Sequence, residues 1–303
     1  MTRQSFLLLL FFLFIVVIGS TAQDLENFKL LNYNALHGFS GDSLLKERFI
    51  NWVNKIDPDM VAFQEMNGYS QNEIGELAES YGHPYAVIMN REFGVPVTHP
   101  LAITSKFPIV KVERVMDNMW HGYIYARIND LHLFVTHLAP FTLKDRQKDI
   151  KKILTHINLL PKGENVLIAG DMNALSPMDS TMYDDYLLKR MKRIEGRLEP
   201  KSGTPIVRDR IIYRNNLNNN QIDYSVIQMI IDEGLKDTFY LTNRKFKNSV
   251  PSAGFSKKSS IPRRIDYVWV NDELARLLLS AEIIQDEVTA HLSDHYPILV
   301  EFK

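Results

Sequence analysis

The chain of 303 residues contains no cysteine, and this absence sets the first limits on its chemistry. Disulfide bonds and thiol chemistry are excluded, so carboxylate, amide or imidazole groups must hold any bound metal. A site dominated by carboxylates favours a hard ion such as Mg²⁺ or Mn²⁺ over a structural zinc. The formal net charge is only −1, so overall charge does not indicate the nature of a partner.

The chain also lacks low-complexity tracts, internal repeats and long Pro/Gly/Ser-rich linkers. Although the length would allow two domains, this continuity predicts a single domain over residues 23–303. A hydrophobic content of 45% is sufficient for a substantial core. Beyond the N-terminal segment, no stretch is long and apolar enough to span a bilayer.

Residues 1–22 have the pattern of a signal peptide. Arg3 supplies positive charge, Phe6–Ile18 is an unbroken apolar run, and Ser20 and Ala22 are small residues before a cleavage site at Gln23. The run is shorter than the roughly 20 residues that span a bilayer. We therefore expect a secreted or periplasmic protein, with an uncleaved membrane anchor as the alternative.

Short apolar runs predict strands, and amphipathic segments predict helices between them. Apolar residues at helical spacing over Ser43–Ile56, between strands at Phe28–Asn34 and Asp59–Glu65, predict a βαβ unit. A tight turn at Asn129-Asp130 and another over Ser105–Pro108 indicate an antiparallel part. The remaining predicted elements are helices over Leu143–Leu160 and Tyr224–Glu233, and strands over Leu101–Thr104, Ile109–Val115, Tyr123–Ile128, Leu131–Thr136, Val166–Ala169, Ile265–Val270 and Ile298–Phe302.

The run Val166–Ala169 ends in Gly170-Asp171-Met172-Asn173, and Gly170 would let the chain turn there. Polar side chains follow other predicted strands in the same way. The full set is Asn34, Glu65, His137, Asp171, Asn173, Asp266, Asp294 and His295. Because ligands in α/β sheets bind at strand ends, these residues are the candidate functional site.

Each member of this set also has an ordinary structural interpretation. Asp171 and Asn173 could form a turn, Glu65 could be a solvated surface glutamate, and His137 could be a hydrogen-bonded structural residue. Asp294 and His295 are adjacent, so both can act in one site only if the chain turns there. Together, however, buried carboxylates would repel one another unless a cation lies among them, and a divalent metal is the simplest solution.

Two basic clusters lie between Leu175 and Arg264. The usual explanation is a solvated charged surface, whereas the functional one is a rim that attracts a polyanion. Arg263 and Arg264 precede Asp266 closely and are the candidate substrate-binding residues. The first cluster comprises Lys189, Arg190, Lys192, Arg193 and Arg197, and the second comprises Arg244, Lys245, Lys247, Lys257, Lys258, Arg263 and Arg264.

In order and context, these motifs resemble the endonuclease/exonuclease/phosphatase superfamily, in particular its secreted bacterial-type members. The resemblance runs from about Phe28 to Phe302 and is carried by Leu-Asn-Tyr-Asn34, Phe-Gln-Glu65, Thr-His137-Leu, Gly-Asp171-Met-Asn173, Ile-Asp266-Tyr and Ser-Asp294-His295-Tyr-Pro. It implies a deoxyribonuclease-I-like fold, a four-layer α/β/β/α sandwich of two packed mixed sheets flanked by helices. It also implies metal-dependent hydrolysis of phosphoesters.

The resemblance assigns a role to each residue. Glu65 would bind Mg²⁺ (or Mn²⁺) with support from Asn34 and Asp294, while Asp171 would orient or deprotonate the attacking water. Asn173 would hold water or a phosphate oxygen, and His295, paired with Asp266, would act at the phosphate. His137 would contact the phosphate or protonate the leaving group.

One position departs from the deoxyribonuclease branch of the superfamily. That branch has a glutamate just before the strand that here begins at Leu101, whereas this chain has Thr98-His99-Pro100. The carboxylate partner expected for His137 is therefore missing or comes from elsewhere. This difference leaves the acid role of His137 open.

Three functions remain for comparison. The first is an exported, metal-dependent phosphodiesterase that acts on nucleic acid by in-line attack of an activated water. The second is a phosphatase or a phospholipid or sphingomyelin headgroup phosphodiesterase with the same machinery, and the third is an inactive binding module. The complete set of polar residues at the strand ends argues against the inactive binding module. We also expect a monomer with no stable protein partner.

Overall fold

The computed structural model describes residues 27–303 apart from 141, 184, 195–206, 209–210, 213–216 and 244, so the predicted signal peptide lies outside the described residues. Within the described residues, no helix combines the length and apolar character needed to cross a membrane. The helices are α1 (Leu36–Phe39), α2 (Ser43–Ile56), α3 (Gln71–Glu79), α4 (Leu143–Ile157), α5 (Asp185–Ile194), α6 (Ser225–Asp232), α7 (Thr238–Thr242) and α8 (Asp272–Ala275). The strands are β1 (Lys29–Asn34), β2 (Met60–Gln64), β3 (Tyr85–Met89), β4 (Leu101–Ser105), β5 (Ile109–Val115), β6 (Tyr123–Ile128), β7 (Leu131–His137), β8 (Asn165–Asp171), β9 (Val207–Arg208), β10 (Ile211–Ile212), β11 (Leu217–Asn218), β12 (Gln221–Ile222), β13 (Lys236–Asp237), β14 (Asp266–Val270), β15 (Leu278–Ile283) and β16 (Ile298–Phe302).

Two mixed six-stranded sheets form the centre of the fold. The first has the order β15-β16-β1-β2-β4-β3 and the second has the order β13-β14-β8-β7-β6-β5. Each contains one central parallel pair, β1 with β2 and β7 with β8, among antiparallel neighbours. The first parallel pair confirms the predicted βαβ unit, whose connecting helix is α2.

Alternation along the strands places apolar side chains on both faces of each sheet. In β8, Leu167 and Ala169 face the first sheet across a shared core, whereas Val166 and Ile168 pack beneath α4 and α6. On the other side of the molecule, a third cluster joins β1 and β2 to α2 and α3. The result is four layers, and it confirms the predicted α/β/β/α sandwich.

The local signals around α2 set its two ends. Asp42 accepts a hydrogen bond from the backbone N–H of Leu44 at the N-terminus, and Asp57 ends the helix in a left-handed conformation (φ 51°) before Pro58. The buried residues Phe49, Trp52 and Val53 recur at helical spacing, so one face packs against the first sheet. The predicted range Ser43–Ile56 is therefore confirmed.

The turn predicted over Ser105–Pro108 has a different consequence from the one expected. β4 pairs with β2 and β3, whereas β5 pairs with β6, so the chain passes from one sheet to the other between them. Periodicity cannot show this crossing, because a reversal within a sheet and a passage between sheets use the same turn residues. The hairpin of β6 and β7 around Asn129-Asp130 is as predicted.

Gly170 is needed for close packing rather than for a turn, which corrects the sequence interpretation. β8 continues through Gly170 to Asp171, and Gly170 is paired with Thr136 of β7. A Cβ added at Gly170 would lie 2.0 Å from the carbonyl oxygen of Thr136. Only glycine allows the backbones of β7 and β8 to approach at this point, directly beside His137 and Asp171.

We expect Gly170→Ala to lower the free energy of unfolding by about 1–3 kcal/mol or more, since the added methyl group meets backbone and not a movable side chain. Urea denaturation followed by circular dichroism measures the change. Gly75→Ala is the matched control: Gly75 lies inside α3, and a Cβ there meets nothing within 4 Å. Its expected effect is a gain of roughly 0.5–1 kcal/mol, and equal losses in the two variants would contradict the packing argument.

Candidate active site

Strand register brings three predicted site residues into one row at an edge of the second sheet. His137 at the end of β7 is paired with Asp171 at the end of the parallel strand β8. Asp266, the first residue of the antiparallel strand β14, is paired with Asp171 from the other side. In the first sheet, Asn34 ends β1 opposite Gln64, and Glu65 follows directly.

Asn34 links the two groups. Its side-chain amide donates to Glu65 Oε1 at 3.2 Å and to Asp171 Oδ2 at 3.3 Å. Its side-chain oxygen accepts from the backbone N–H of Leu36 at 3.1 Å, which fixes the orientation of the amide. Residues from both sheets therefore meet at one place, as the sequence analysis predicts for these three side chains.

His295 lies between two buried aspartates. Its Nδ1 is 2.8 Å from Asp266 Oδ2, and its Nε2 is 3.8 Å from Asp171 Oδ2. Asp294 is brought to the same imidazole, with Oδ1 3.9 Å from Nε2, because the chain bends at these two residues. The bend allows both neighbours to reach one site, which an extended chain would prevent.

The bend is held by a loop that precedes β14. The backbone N–H of Ser252 donates to the carbonyl oxygen of Asp294 at 2.8 Å, and that of Tyr296 donates to the carbonyl oxygen of Ser249 at 2.7 Å. Ser249 Oγ also accepts from the N–H of Asp266 at 3.2 Å. One loop thus positions His295 and its carboxylate partner together.

His137 and Asn173 complete the surroundings of Asp171. His137 Nε2 lies 3.4 Å from Asp171 Oδ2, and the backbone N–H of Asn173 donates to Asp171 Oδ1 at 2.8 Å. Asn173 has a left-handed φ of 45°, and its side-chain amide donates to the carbonyl oxygen of Leu138 at 3.0 Å. The turn interpretation of Asp171 and Asn173 is therefore confirmed, and the functional role of their side chains stays a prediction.

The electrostatics of the site follow from burial and from the alternation of acids and imidazoles. Burial opposes ionisation of Glu65, but His137, His295 and His99 outweigh it and lower the pKa of Glu65 to about 2. Burial and the neighbouring Asp266 raise the pKa of Asp171 to about 7, against the opposing effect of His295. For His295, burial favours the neutral form, but Asp266 and Asp171 hold its pKa well above the usual value. His295 is therefore an imidazolium between carboxylates.

The donor set fits a hard divalent cation. Glu65 and Asp171 present carboxylate oxygens on either side of the Asn34 amide group, and Asp266 Oδ1 is buried without a hydrogen-bond partner among the described residues. Asp171, Asp266 and His295 also place one possible ligand atom each within 4.8 Å of one another. Oxygen ligands of this kind are those that Mg²⁺ and Mn²⁺ bind.

The family model described as "Endonuclease/Exonuclease/phosphatase family" matches residues 31–295, which includes every residue of this site. The chain belongs to the endonuclease/exonuclease/phosphatase family. The comparison of this chain with curated protein sequences found no match.

Solved structures with the same fold include an AP endonuclease from Archaeoglobus fulgidus, with a TM-score of 0.67 and 14% identity, covering 91% of this chain and 99% of that one. They also include a 3′ phosphatase from Neisseria bound to a product DNA hairpin, with a TM-score of 0.65, 16% identity and coverages of 91% and 99%. A 3′-5′ exonuclease from Neisseria meningitidis has a TM-score of 0.64, 16% identity and the same coverages. At these identities, the likeness establishes the deoxyribonuclease-I-like fold, and membership of the family supports a hydrolase of phosphoester bonds.

This family member has imidazole groups in its site that the sequence analysis did not assign. The rings of His99, His121 and His137 lie side by side, with centroids 4.8 Å apart for His99 and His121 and 4.5 Å apart for His121 and His137. His37 adjoins His99 at 5.3 Å. The missing glutamate at Thr98-His99-Pro100 was the only sequence signal, since His37 lies in the short, irregular helix α1 and His121 in a loop, neither of which has a periodic pattern.

The structure supplies a carboxylate neighbour for His137 from another strand. His137 Nε2 lies 3.4 Å from Asp171 Oδ2, whereas its ring stacks on His121 and its Nδ1 has no hydrogen-bond partner within the described part of the chain. Burial lowers the pKa of His137, so the ring is neutral near pH 7. A neutral ring favours the predicted contact with phosphate over protonation of a leaving group.

Arg264 is a correction to the predicted substrate-binding residues. Its side chain is 0% exposed, and its guanidinium donates to Asp179 Oδ2 at 2.8 Å and to Asp237 Oδ2. A guanidinium with two buried carboxylates stabilises the packing of the segments that carry them and cannot reach a substrate. Arg263 is half-buried, its backbone pairs with Val250, and a substrate role for its side chain stays a prediction.

Asp149 on α4 holds the backbone beside two of the imidazoles. Its Oδ2 accepts from the N–H of Ala139 at 3.2 Å, and the N–H of Trp120 also contributes a backbone hydrogen bond. Ala139 follows His137 closely, and Trp120 precedes His121. Burial nevertheless raises the pKa of Asp149 to about 7.

The pKa of Asp149 predicts a pH-dependent contribution to stability. A carboxyl group whose pKa is raised on folding stabilises the protein at low pH, and this contribution is lost as pH rises from about 4 to about 7. We expect the free energy of unfolding of the wild type to fall over this range, relative to Asp149→Asn, by an amount on the order of 3 kcal/mol. Urea denaturation of both proteins at several pH values measures the difference. A difference that does not change with pH would contradict the raised pKa.

Proposed function

We propose that the chain is an exported, divalent-metal-dependent phosphodiesterase that hydrolyses nucleic acid by in-line attack of an activated water. One observation carries the proposal: Asn34 contacts both Glu65 and Asp171, so the proposed metal ligand Glu65 and the aspartate–histidine group lie in one site. An inactive binding module would not need a buried imidazolium between aspartates beside such a space.

Glu65 and Asn34 would hold Mg²⁺ or Mn²⁺, with Asp294 nearby as a further ligand. When bound, the ion supplies charge neutralisation at the phosphate and at the leaving oxygen. The low pKa of Glu65, about 2, keeps this carboxylate ionised at any physiological pH.

The remaining groups act on water and phosphate. Asp171 has a pKa of about 7, which suits a residue that orients water and accepts its proton near neutral pH. His295 is held by Asp266 through Nδ1, so Nε2 is the nitrogen available to a phosphate oxygen, and its positive charge stabilises the negative charge that develops there. Asn173 and His137 would complete the contacts with water and phosphate oxygens.

A basic surface formed by residues of both predicted clusters supports nucleic acid as the substrate. Lys189 and Lys192 are exposed on α5, Lys257 and Lys258 are exposed on the loop before β14, and Arg190 donates to the carbonyl oxygen of Ser259. The two basic clusters of the sequence therefore meet through this contact, although Arg197, Arg244 and the side chain of Arg193 lie outside the described residues. A related fold in Neisseria was solved with a DNA hairpin, which agrees with this substrate class.

The salt dependence of binding tests the substrate class. If the substrate is a polyanion, the double variant Lys257→Gln/Lys258→Gln should bind it with a weaker dependence on salt. We expect the slope of log affinity against log salt concentration to decrease in magnitude by up to about 2, because each phosphate contact contributes about 0.7–0.9. Fluorescence anisotropy with a labelled DNA duplex and a labelled RNA measures the slope. Lys144→Gln/Lys151→Gln is the matched control, since both of these lysines are exposed on α4.

An activity panel separates the alternatives. Purified protein with Mg²⁺ or Mn²⁺ would be assayed on duplex DNA, RNA, sphingomyelin, inositol phosphates and bis-aryl phosphate, with EDTA controls. Hydrolysis of sphingomyelin or a phosphomonoester alone, with a shallow salt dependence, would replace the nuclease proposal by a phospholipase-type or phosphatase function. Activity that survives EDTA would contradict metal dependence.

Export and a monomeric state belong to the same proposal. Expression of the full chain in a bacterial host, followed by mass spectrometry of the secreted or periplasmic protein, is expected to give a mature N-terminus at Gln23. Light scattering of that protein is expected to give the mass of one chain.

A further inference from the structure

His37, Glu65 and His99 form a second group of possible metal ligands in the same site. One ligand atom from each lies within 4.8 Å of the other two. Two ligands about 2.1 Å from one zinc ion in tetrahedral geometry are about 3.4 Å apart. His37 Nδ1 and Glu65 Oε2 are already 3.3 Å apart, so only His99 would need to move inward slightly.

The backbone holds His37 against this carboxylate. The N–H of His37 donates to Glu65 Oε2 at 3.1 Å, and the N–H of Gly38 donates to the carbonyl oxygen of Glu65 at 2.6 Å. Gly38 cannot carry a side chain, because a Cβ there would lie 2.3 Å from the carbonyl oxygen of Asn67. The His37 side chain is 51% exposed, so its position beside Glu65 does not result from burial.

His99 is oriented by its neighbours. Its Nδ1 lies 3.0 Å from Thr98 Oγ1, and its ring packs edge-on against His121. When Nδ1 donates to the threonine hydroxyl, Nε2 carries the lone pair that a metal requires. His121 is 1% exposed, and its Nδ1 has no hydrogen-bond partner in the described part of the chain, so a further unpaired imidazole nitrogen borders the group.

The chemistry of this group differs from that of the hard-ion position. Asp171 and Glu65 Oε1, which flank the Asn34 amide group, offer carboxylate oxygens, whereas Glu65 Oε2 faces an imidazole nitrogen. Two imidazoles and one carboxylate are a ligand set that suits Zn²⁺ and related transition metals and leaves coordination positions open. Mg²⁺ binds such nitrogen ligands poorly.

We propose that His37, Glu65 and His99 bind a zinc-type divalent cation beside the Mg²⁺ position, and that Glu65 bridges the two. The inference rests on the proposed function insofar as Glu65 is also the Mg²⁺ ligand. An ion held by these residues would supply a second positive charge for the same substrate phosphate.

Titration of the metal-free mature protein with Co²⁺ and Zn²⁺ tests the proposal. Co²⁺ is expected to bind and to give visible absorption typical of nitrogen coordination, and Zn²⁺ is expected to displace it. His37→Asn and His99→Gln are each expected to weaken Co²⁺ binding by at least about 10–100-fold, the range that even outer partners of a metal site contribute. Asn tolerates the left-handed backbone of residue 37 (φ 51°), so this variant is expected to fold.

His132→Asn is the matched control. His132 is buried and paired with Glu164, a histidine–carboxylate contact at the other end of β7 from His137. Its Co²⁺ affinity and absorption should equal those of the wild type. Circular dichroism of all variants checks that they are folded.

The outcomes separate this proposal from the proposed function. Absence of Co²⁺ binding in the wild type, or equal binding in the wild type, His37→Asn and His99→Gln, would overturn the second site, whatever the activity with Mg²⁺. Binding that depends on His37 and His99 in a protein with no phosphoesterase activity would support the site and contradict the function. Isothermal titration with inorganic phosphate and no metal is the last arm: histidine-dependent phosphate binding without Co²⁺ binding would show an anion site instead.

Discussion

Glu65→Gln is expected to lower kcat/KM for a metal-dependent phosphoester substrate by about 10³-fold or more. Loss of the charge stabilisation that a bound metal provides corresponds to several kcal/mol, and each 1.4 kcal/mol is a factor of about ten. Glutamine keeps the size of the side chain and can still accept from Asn34, so the change isolates the charge. Steady-state kinetics with bis-aryl phosphate and calorimetric titration with Mg²⁺ measure the two effects.

Glu164→Gln is the control for this variant. Glu164 also lies beside a histidine, His132, but outside the active site. We expect its activity to match that of the wild type and its stability to fall modestly. If Glu65→Gln retained both Mg²⁺ affinity and activity, the assignment of Glu65 as the metal ligand would be refuted.

His295→Asn is expected to lower kcat by about 10²–10⁴-fold with little change in Mg²⁺ affinity. The amide of asparagine can take the place of Nδ1 against Asp266, 2.8 Å away, but it has no group at the position of Nε2 and no positive charge. The variant therefore removes the contact with phosphate and keeps much of the buried packing. Single-turnover kinetics separate the chemical step from product release.

The free energy of unfolding of His295→Asn must be measured as well as its activity. Without the imidazolium, no neighbouring positive charge on residue 295 offsets the repulsion between the carboxylates of Asp171 and Asp266. The free energy of unfolding of the variant should therefore fall as pH rises through the range in which Asp171 ionises. His132→Asn provides the comparison, because it removes a buried histidine outside the candidate site. Wild-type kcat in folded His295→Asn would show that this histidine has no role in the chemical step.

Much of the fold followed from local sequence signals. The N-cap at Asp42 and the stop at Asp57-Pro58 define α2, and the apolar runs of β2, β6, β7 and β16 are continuous enough to predict. β3 was not predicted: Tyr85–Met89 is apolar throughout, but the strand lies at the edge of the first sheet and its first three residues are exposed or half-buried. The passage between sheets after β4 depends on long-range pairing that no local pattern contains.

The candidate site likewise contains residues that the sequence could predict and residues that it could not. Residues at strand ends could be predicted, because strand register fixes where they lie: His137, Asp171 and Asp266 share one row. His37 and His121 could not, because only the packing of the short helix α1 and of the loop before β6 brings them to the site. Arg264 was misassigned since its partners, Asp179 and Asp237, are far away in sequence and give no local signal of burial.

The amide of Asn34 spans the interface between two halves that come from separate sheets, and this has a kinetic consequence. Neither sheet alone carries all the proposed catalytic and metal-binding residues. We therefore expect activity only after the two sheets have packed together, late in folding. Recovery of activity after dilution from urea should therefore follow the slowest change in tryptophan fluorescence, not the earlier gain of secondary structure. The recovery of activity would then report the rate at which the two sheets pack together.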